Sequence, residues 1–82
     1  MDRARRKTLV SLAEEGIVEN KTWQRGPYTH VGVLVRVGAY WIEGHGFSKC
    51  RPGDVWSGAE GIAKARARAI LDAAQQMNLM EV

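Results

Sequence analysis

Two side chains in this sequence, His45 and Cys50, are candidates for a base and a nucleophile, and His30 is the other histidine. A cysteine nucleophile needs a base beside it, a third group that orients the base, and a defined pocket. The spacing of His45 and Cys50 supplies neither the third group nor the pocket. A closed zinc site normally takes four ligands, so one cysteine and two histidines are too few. The sequence therefore predicts a protein that is not an enzyme and that carries no metal or cofactor.

Gly44 and Gly46 do not form a phosphate-binding loop, because they lie within a predicted strand and no Lys-Ser or Lys-Thr pair follows them. Glycines inside a strand more often allow a bulge or the close approach of another element. No pair of carboxylates occupies a plausible cleft, and a domain of this size has little room for one. We therefore expect no small-molecule substrate.

Basic residues are concentrated in two parts of the chain, which has 12 Lys and Arg against 9 Asp and Glu and a formal net charge of +3. Such clusters can mark a surface that binds phosphate groups, although a run of charge is more often a solvated face. Both interpretations stay open at this point. The first cluster contains Arg3, Arg5, Arg6 and Lys7, and the second contains Lys49, Arg51, Lys64, Arg66 and Arg68.

The length of 82 residues and the hydrophobic content of 45% are enough for one compact domain and too little for two. We therefore expect a single domain over residues 1–82. No stretch approaches the roughly 20 apolar residues of a membrane helix, and no apolar signal-peptide run follows the N-terminus. A cytoplasmic location with no membrane partner is the resulting expectation.

Two helices are predicted, over residues 2–15 and 58–78. Asp2 can cap the first helix and Gly16 can end it. Ser57 and Glu60 form a capping box at the start of the second helix, after a loop over residues 50–57. The predicted apolar stripes are Ala4, Leu9, Leu12 and Ala13 in the first helix, and Ile62, Ala63, Ala67, Ala69, Ile70, Ala73, Ala74 and Met77 in the second.

Three strands are predicted between the helices, at about residues 17–25, 30–37 and 40–48. The clearest signal is a valine at every second position of the middle strand, which indicates that one face of this strand is buried. A tight turn at Gly38-Ala39 makes an antiparallel hairpin the natural pairing. The fold class that follows is α+β, with the order α-β-β-β-α. The valines are Val31, Val33, Val35 and Val37.

This order of elements and several short motifs resemble the double-stranded-RNA-binding domain. That family has a Gly-Pro-x-His loop, a Gly-x-Gly-x-Ser-Lys-Lys stretch and a Lys-x-Ala-Lys start of its last helix. Small actinobacterial and phage proteins of the same fold share a related glycine pattern. The resemblance implies a three-stranded antiparallel sheet with two helices on one face. The matching segments here are residues 26–30, the valine-rich strand, residues 44–49 and the pair Ala63-Lys64.

The resemblance also implies nucleic acid, as duplex RNA or DNA, as a partner. In the family, the first helix and the loop after the first strand contact two minor grooves, and lysines at the last helix contact the phosphates between them. This sequence departs from the pattern because Cys50 replaces a lysine and six residues are inserted before the last helix. The implied contacts are Arg3, Arg6, Lys7, His30, Lys49 and Lys64, with Arg51 and Arg68 from the second basic cluster.

A protein partner is the alternative. If the valine row faces the helices, then Leu34, Trp41 and Phe47 face outward together with Glu43 and His45. Contiguous exposed apolar patches mark interfaces. The chain would then be an accessory, phage-type module that forms a homodimer or inhibits a host protein. A pairing shifted by one residue would instead make these side chains part of the core. Trp23 is expected to anchor a loop or an edge.

Overall fold

The computed structural model describes residues 1–50 and 58–81 and contains the five elements in the predicted order. The strands form one antiparallel sheet in which the second strand is central. The α+β fold class is therefore confirmed. The predicted Ser57 cap, Arg51 and most of the predicted loop 50–57 lie outside the described residues. The elements are α1 (Arg3–Glu15), β1 (Ile17–Arg25), β2 (Tyr28–Val37), β3 (Tyr40–Lys49) and α2 (Gly58–Leu79).

Helix α1 begins and ends where the sequence predicts. The Arg5 backbone N–H donates to Asp2 Oδ1 at 2.7 Å, which satisfies one of the amides left free at a helix start. The predicted apolar stripe is partly wrong, because Ala4 and Leu12 are exposed. Only the narrow strip formed by Leu9 and Ala13 is buried, since α1 packs mainly along α2 and touches the sheet little.

The valine row of β2 is buried beneath the helices at Val31, Val33 and Val35, so the predicted strand face is confirmed. Two-residue turns join the strands, and the turns start at Gly26 and Gly38. Both glycines have a φ of +59°, a left-handed backbone conformation that glycine adopts at little cost in free energy. The first turn is so short that β2 starts two residues earlier than predicted.

Helix α2 lies unusually close to β3 because Gly44 and Gly46 have no side chains. A Cβ at Gly46 would overlap backbone atoms of Ala65 and Ala69, and a Cβ at Gly44 would overlap the Ala69 carbonyl oxygen. This close contact turns the smallest residues of α2 inward. The predicted stripe is therefore wrong in its first half: Ile62, Ala63 and Ala67 are exposed, and the buried residues are Gly61, Ala65, Ala69, Ile70, Ala73, Ala74 and Met77.

The free edge of β3 is covered by three polar side chains that follow one another at four-residue spacing on α2. Arg68 Nη1 donates to the Phe47 carbonyl oxygen at 2.6 Å, and Gln76 Nε2 donates to the Glu43 carbonyl oxygen at 2.7 Å. Between them, Asp72 Oδ2 accepts from the backbone N–H of residue 45 at 2.9 Å. Because exposed edges invite pairing with another strand, these bonds close the β3 edge to strand addition.

Neither helix, within residues 1–50 and 58–81, is long and apolar enough to cross a membrane.

Val35→Ala should destabilise the fold by about 1 to 4 kcal/mol, because the side chain is fully buried and its removal leaves a cavity. Val18→Ala is the matched control, since Val18 is 56% exposed at an irregularity in β1. Urea denaturation followed by circular dichroism measures both. Equal midpoints for the two variants would contradict the assignment of the buried strand face.

Candidate functional site on the outer sheet face

The face of the sheet that points away from the helices, called the outer face below, carries its side chains in rows across the strands. Residues paired directly in an antiparallel sheet point to the same side, and successive rows are about 7 Å apart. The fifth row has no β1 member, because the β1 register shifts between Ile17 and Glu19. The rows are Arg25-Tyr28-Lys49, Trp23-His30-Phe47, Lys21-Gly32-His45, Glu19-Leu34-Glu43 and Arg36-Trp41.

Three rings at the centre of the outer face are nearly parallel. The Trp23 ring lies 5.3 Å from the His30 ring with 6° between their planes, and 5.7 Å from the His45 ring with 23° between them. The two imidazoles also share a hydrogen bond, with His30 Nδ1 and His45 Nε2 3.0 Å apart. The three side chains therefore form one continuous surface.

Two further rings extend this surface toward the end of the sheet where the first turn lies. Phe47 lies 6.2 Å from His45, and Tyr28 meets Phe47 edge to face at 6.0 Å. Such separations are typical of interacting aromatic pairs. Trp23 and Phe47 remain 44% and 49% exposed. We call Trp23, Tyr28, His30, His45 and Phe47 the ring cluster, and it exposes aromatic rings on the outer face.

Cationic side chains lie beside the ring cluster and at the far end of the outer face. Lys49 Nζ lies 5.6 Å from the centre of the Tyr28 ring, and Arg36 lies 5.2 Å from the centre of the Trp41 ring. Arg25 is exposed at the end of β1. The outer face thus has two more cationic than anionic side chains, with Lys21, Arg25, Arg36 and Lys49 against Glu19 and Glu43.

The residues predicted to bind nucleic acid are divided between two surfaces. Lys64 lies on α2, 3.4 Å from the Glu60 carboxylate, and Arg68 bonds the β3 edge. His30 and Lys49 instead lie on the outer face. The family resemblance places His30 in the loop after the first strand, and this is wrong, because β2 begins at Tyr28 and includes His30. Arg3, Arg6 and Lys7 are exposed on α1.

The three residues predicted for a protein interface all lie on the outer face, where Leu34 is half-buried and Trp41 is 57% exposed. They do not form a continuous apolar patch. Glu43 and His45 separate Trp41 from Phe47 along β3, and the Arg36 guanidinium lies over the Trp41 ring. The outer face is therefore a mixture of rings and charges.

Sequence reasoning placed His45 on the outer face but missed Trp23, Arg25 and Tyr28 as members of the same surface. Their alignment depends on the pairing of β1 with β2, which sets Trp23 opposite His30 and Arg25 opposite Tyr28. The signal that could have found them is the alternation of Lys21, Trp23 and Arg25 along β1, read together with the short turn that follows.

The described residues contain no group of three or more histidine, cysteine, aspartate or glutamate side chains that could hold a metal ion. Comparisons with protein-family models, with curated proteins and with solved structures found no match to this chain.

Proposed function

We propose that this chain is a non-enzymatic nucleic-acid-binding module of the double-stranded-RNA-binding-domain type that binds single strands on its outer face. The observation that carries the proposal is the ring cluster with cations around it. Proteins that bind single strands combine a positively charged surface, which follows the phosphates, with aromatic side chains on which successive bases stack. A four-stranded sheet with stacking aromatics is one known arrangement of this kind.

The mixture of rings and charges favours nucleic acid over a protein partner. The cores of protein interfaces are depleted in charged residues, and charge is found at their rims. On the outer face, Lys21 and Glu43 lie beside the central rings. A ligand that alternates flat bases with anionic phosphates fits this pattern, whereas an apolar protein surface would bury these charges at a cost.

Single strands are favoured over duplexes because of where the cations lie. Duplex binding by the family's surfaces would require the first helix, the loop and the last helix to present cations together. Here His30 is on the outer face, and Lys64 and Arg66 are paired with Glu60 and Glu14 at 3.4 and 3.3 Å. The bases of a duplex are stacked on one another, so only an unpaired strand can place them on the ring cluster.

Lys49→Glu should weaken binding of a single-stranded oligonucleotide about tenfold at low salt. The change removes a cation beside the Tyr28 ring and replaces it with a charge that repels phosphate. Fluorescence anisotropy of a labelled oligothymidine at two salt concentrations measures the effect, and the affinity of the parent should fall as salt rises.

Lys64→Glu is the matched control, because Lys64 is an exposed lysine on α2 that already pairs with Glu60. It should change single-strand affinity little. If Lys64→Glu weakened binding more than Lys49→Glu, or if duplex RNA bound more tightly than the single strand, the helix surface implied by the family resemblance would be the binding surface instead.

A further inference from the structure

An open depression lies beside the ring cluster, above the one residue of the outer face that has no side chain. Its volume is about 360 Å³, and Gly32 forms part of its floor. Pockets for small ligands start at about 300 Å³, so the space is sufficient for one planar heterocycle. The depression is continuous with the proposed binding surface, since Trp23 and His45 line one end of it.

The walls of the depression combine stacking surfaces with hydrogen-bonding groups. Trp23 and His45 offer rings at one end, and Leu34 offers an apolar contact at the other. The charged residues of the lining are Glu43 on β3 and the pair Glu19 and Lys21 on β1.

The two glutamates of this lining differ in whether their carboxylates have a partner within the protein. Glu19 Oε1 lies 3.4 Å from Lys21 Nζ, so that carboxylate already has a cationic partner. Within the part of the chain that the structure describes, the Glu43 carboxylate makes no hydrogen bond or ion pair; only its backbone oxygen does, accepting from Gln76 Nε2. An ionised carboxylate is purely an acceptor with two oxygens. Glu43 is therefore suited to a ligand that presents two adjacent N–H donors.

We propose that this depression binds a guanine base. This inference rests on the proposed function, and it specifies which base of a single strand the outer face selects. Guanine presents N1–H and its 2-amino group side by side, and these two donors match the two oxygens of the Glu43 carboxylate. The Lys21 ammonium has three donors, so it can serve the guanine O6 while it keeps Glu19. Trp23 and His45 supply the stacking surface.

The test compares labelled oligothymidines that carry one central guanine, one central hypoxanthine or no substitution. Hypoxanthine is guanine without the 2-amino group, so the pair isolates one donor. The parent should bind the guanine strand about tenfold more tightly than the other two. Glu43→Gln should remove this preference, while plain oligothymidine should bind at least as tightly as before, because the change removes an anion from the outer face. Glu19→Gln is the matched control in the same row, and it should keep the preference.

Gly32→Leu provides a second variant, because a side chain at residue 32 fills the depression and leaves the Glu43 carboxylate in place. It also presses on the Trp23 ring, so its affinity for plain oligothymidine is measured alongside. It should also lose the guanine preference, with folding checked by circular dichroism. Equal affinity for all three strands, or a preference that survives Glu43→Gln, would overturn the guanine pocket while the proposed function stands. Failure of the parent to bind any of the three strands would overturn the proposed function and the pocket together.

Discussion

Gly46→Ala should lower the free energy of unfolding by about 3 kcal/mol or more. The added Cβ would overlap the backbone of α2 at Ala65 and Ala69 and would lie 2.7 Å from Arg68 Cβ. A backbone cannot rotate away as a flexible side chain can, so the helix has to move off the sheet. Because small domains are stable by only about 5 to 15 kcal/mol in total, the variant should melt at a much lower temperature.

Gly32→Ala is the matched control for this prediction. A Cβ at Gly32 would meet only the Trp23 ring, at 3.4 and 3.6 Å, which is ordinary contact. Alanine also loses less backbone entropy on folding than glycine does, so the change should be neutral or slightly stabilising. Urea denaturation compares the two variants. A Gly46→Ala protein as stable as the parent would contradict the close packing of α2 on β3.

Trp23→Ala should weaken single-strand binding by about 10- to 100-fold. Base stacking on an aromatic side chain contributes about 1 to 3 kcal/mol per base, and 1.4 kcal/mol corresponds to a factor of ten. Trp23 also stacks on both imidazoles, so its loss removes support from His30 and His45. Fluorescence anisotropy with a labelled oligothymidine at low salt is the measurement. The fold should persist, since Trp23 lies on the edge strand β1 and is not part of the core.

Tyr40→Ala is the control for Trp23→Ala. Tyr40 is 47% exposed, close to the exposure of Trp23, but it pairs with Val37 at the far end of the sheet and lies outside the ring cluster. Its removal should leave the affinity unchanged. If both variants bound as tightly as the parent, stacking on the ring cluster would not contribute to binding.

The parts of the fold that could be predicted from the sequence depend on short-range patterns. The valines at alternate positions of β2 define a buried face, and Asp2 and Gly16 mark the ends of α1. These signals act within one strand or one helical turn, so they need no knowledge of what packs against them. The tight turn predicted at Gly38-Ala39 also indicates that the second and third strands pair antiparallel, because two strands joined by so short a turn can pair in no other direction.

The parts that could not be predicted depend on long-range contacts. The inward face of α2 is set by Gly44 and Gly46 on another element, which draw Ala65 inward and leave Ile62 exposed. The apolar pattern within α2 alone would instead predict that the larger residue, Ile62, is buried. The ring cluster has the same origin, since Trp23 joins His45 only through the register of three strands.

The most direct test of the outer face as a binding surface is a nuclear magnetic resonance titration of the isotope-labelled protein with a single-stranded oligonucleotide. The indole N–H signal of Trp23 and the ring signals of His30, His45 and Phe47 should shift progressively, while the amide signals of α1 stay in place. Shifts confined to α1 and the start of α2 would contradict the proposal. Outer-face signals that shift only with protein concentration, and not with oligonucleotide, would also contradict it, because they would identify a self-association surface.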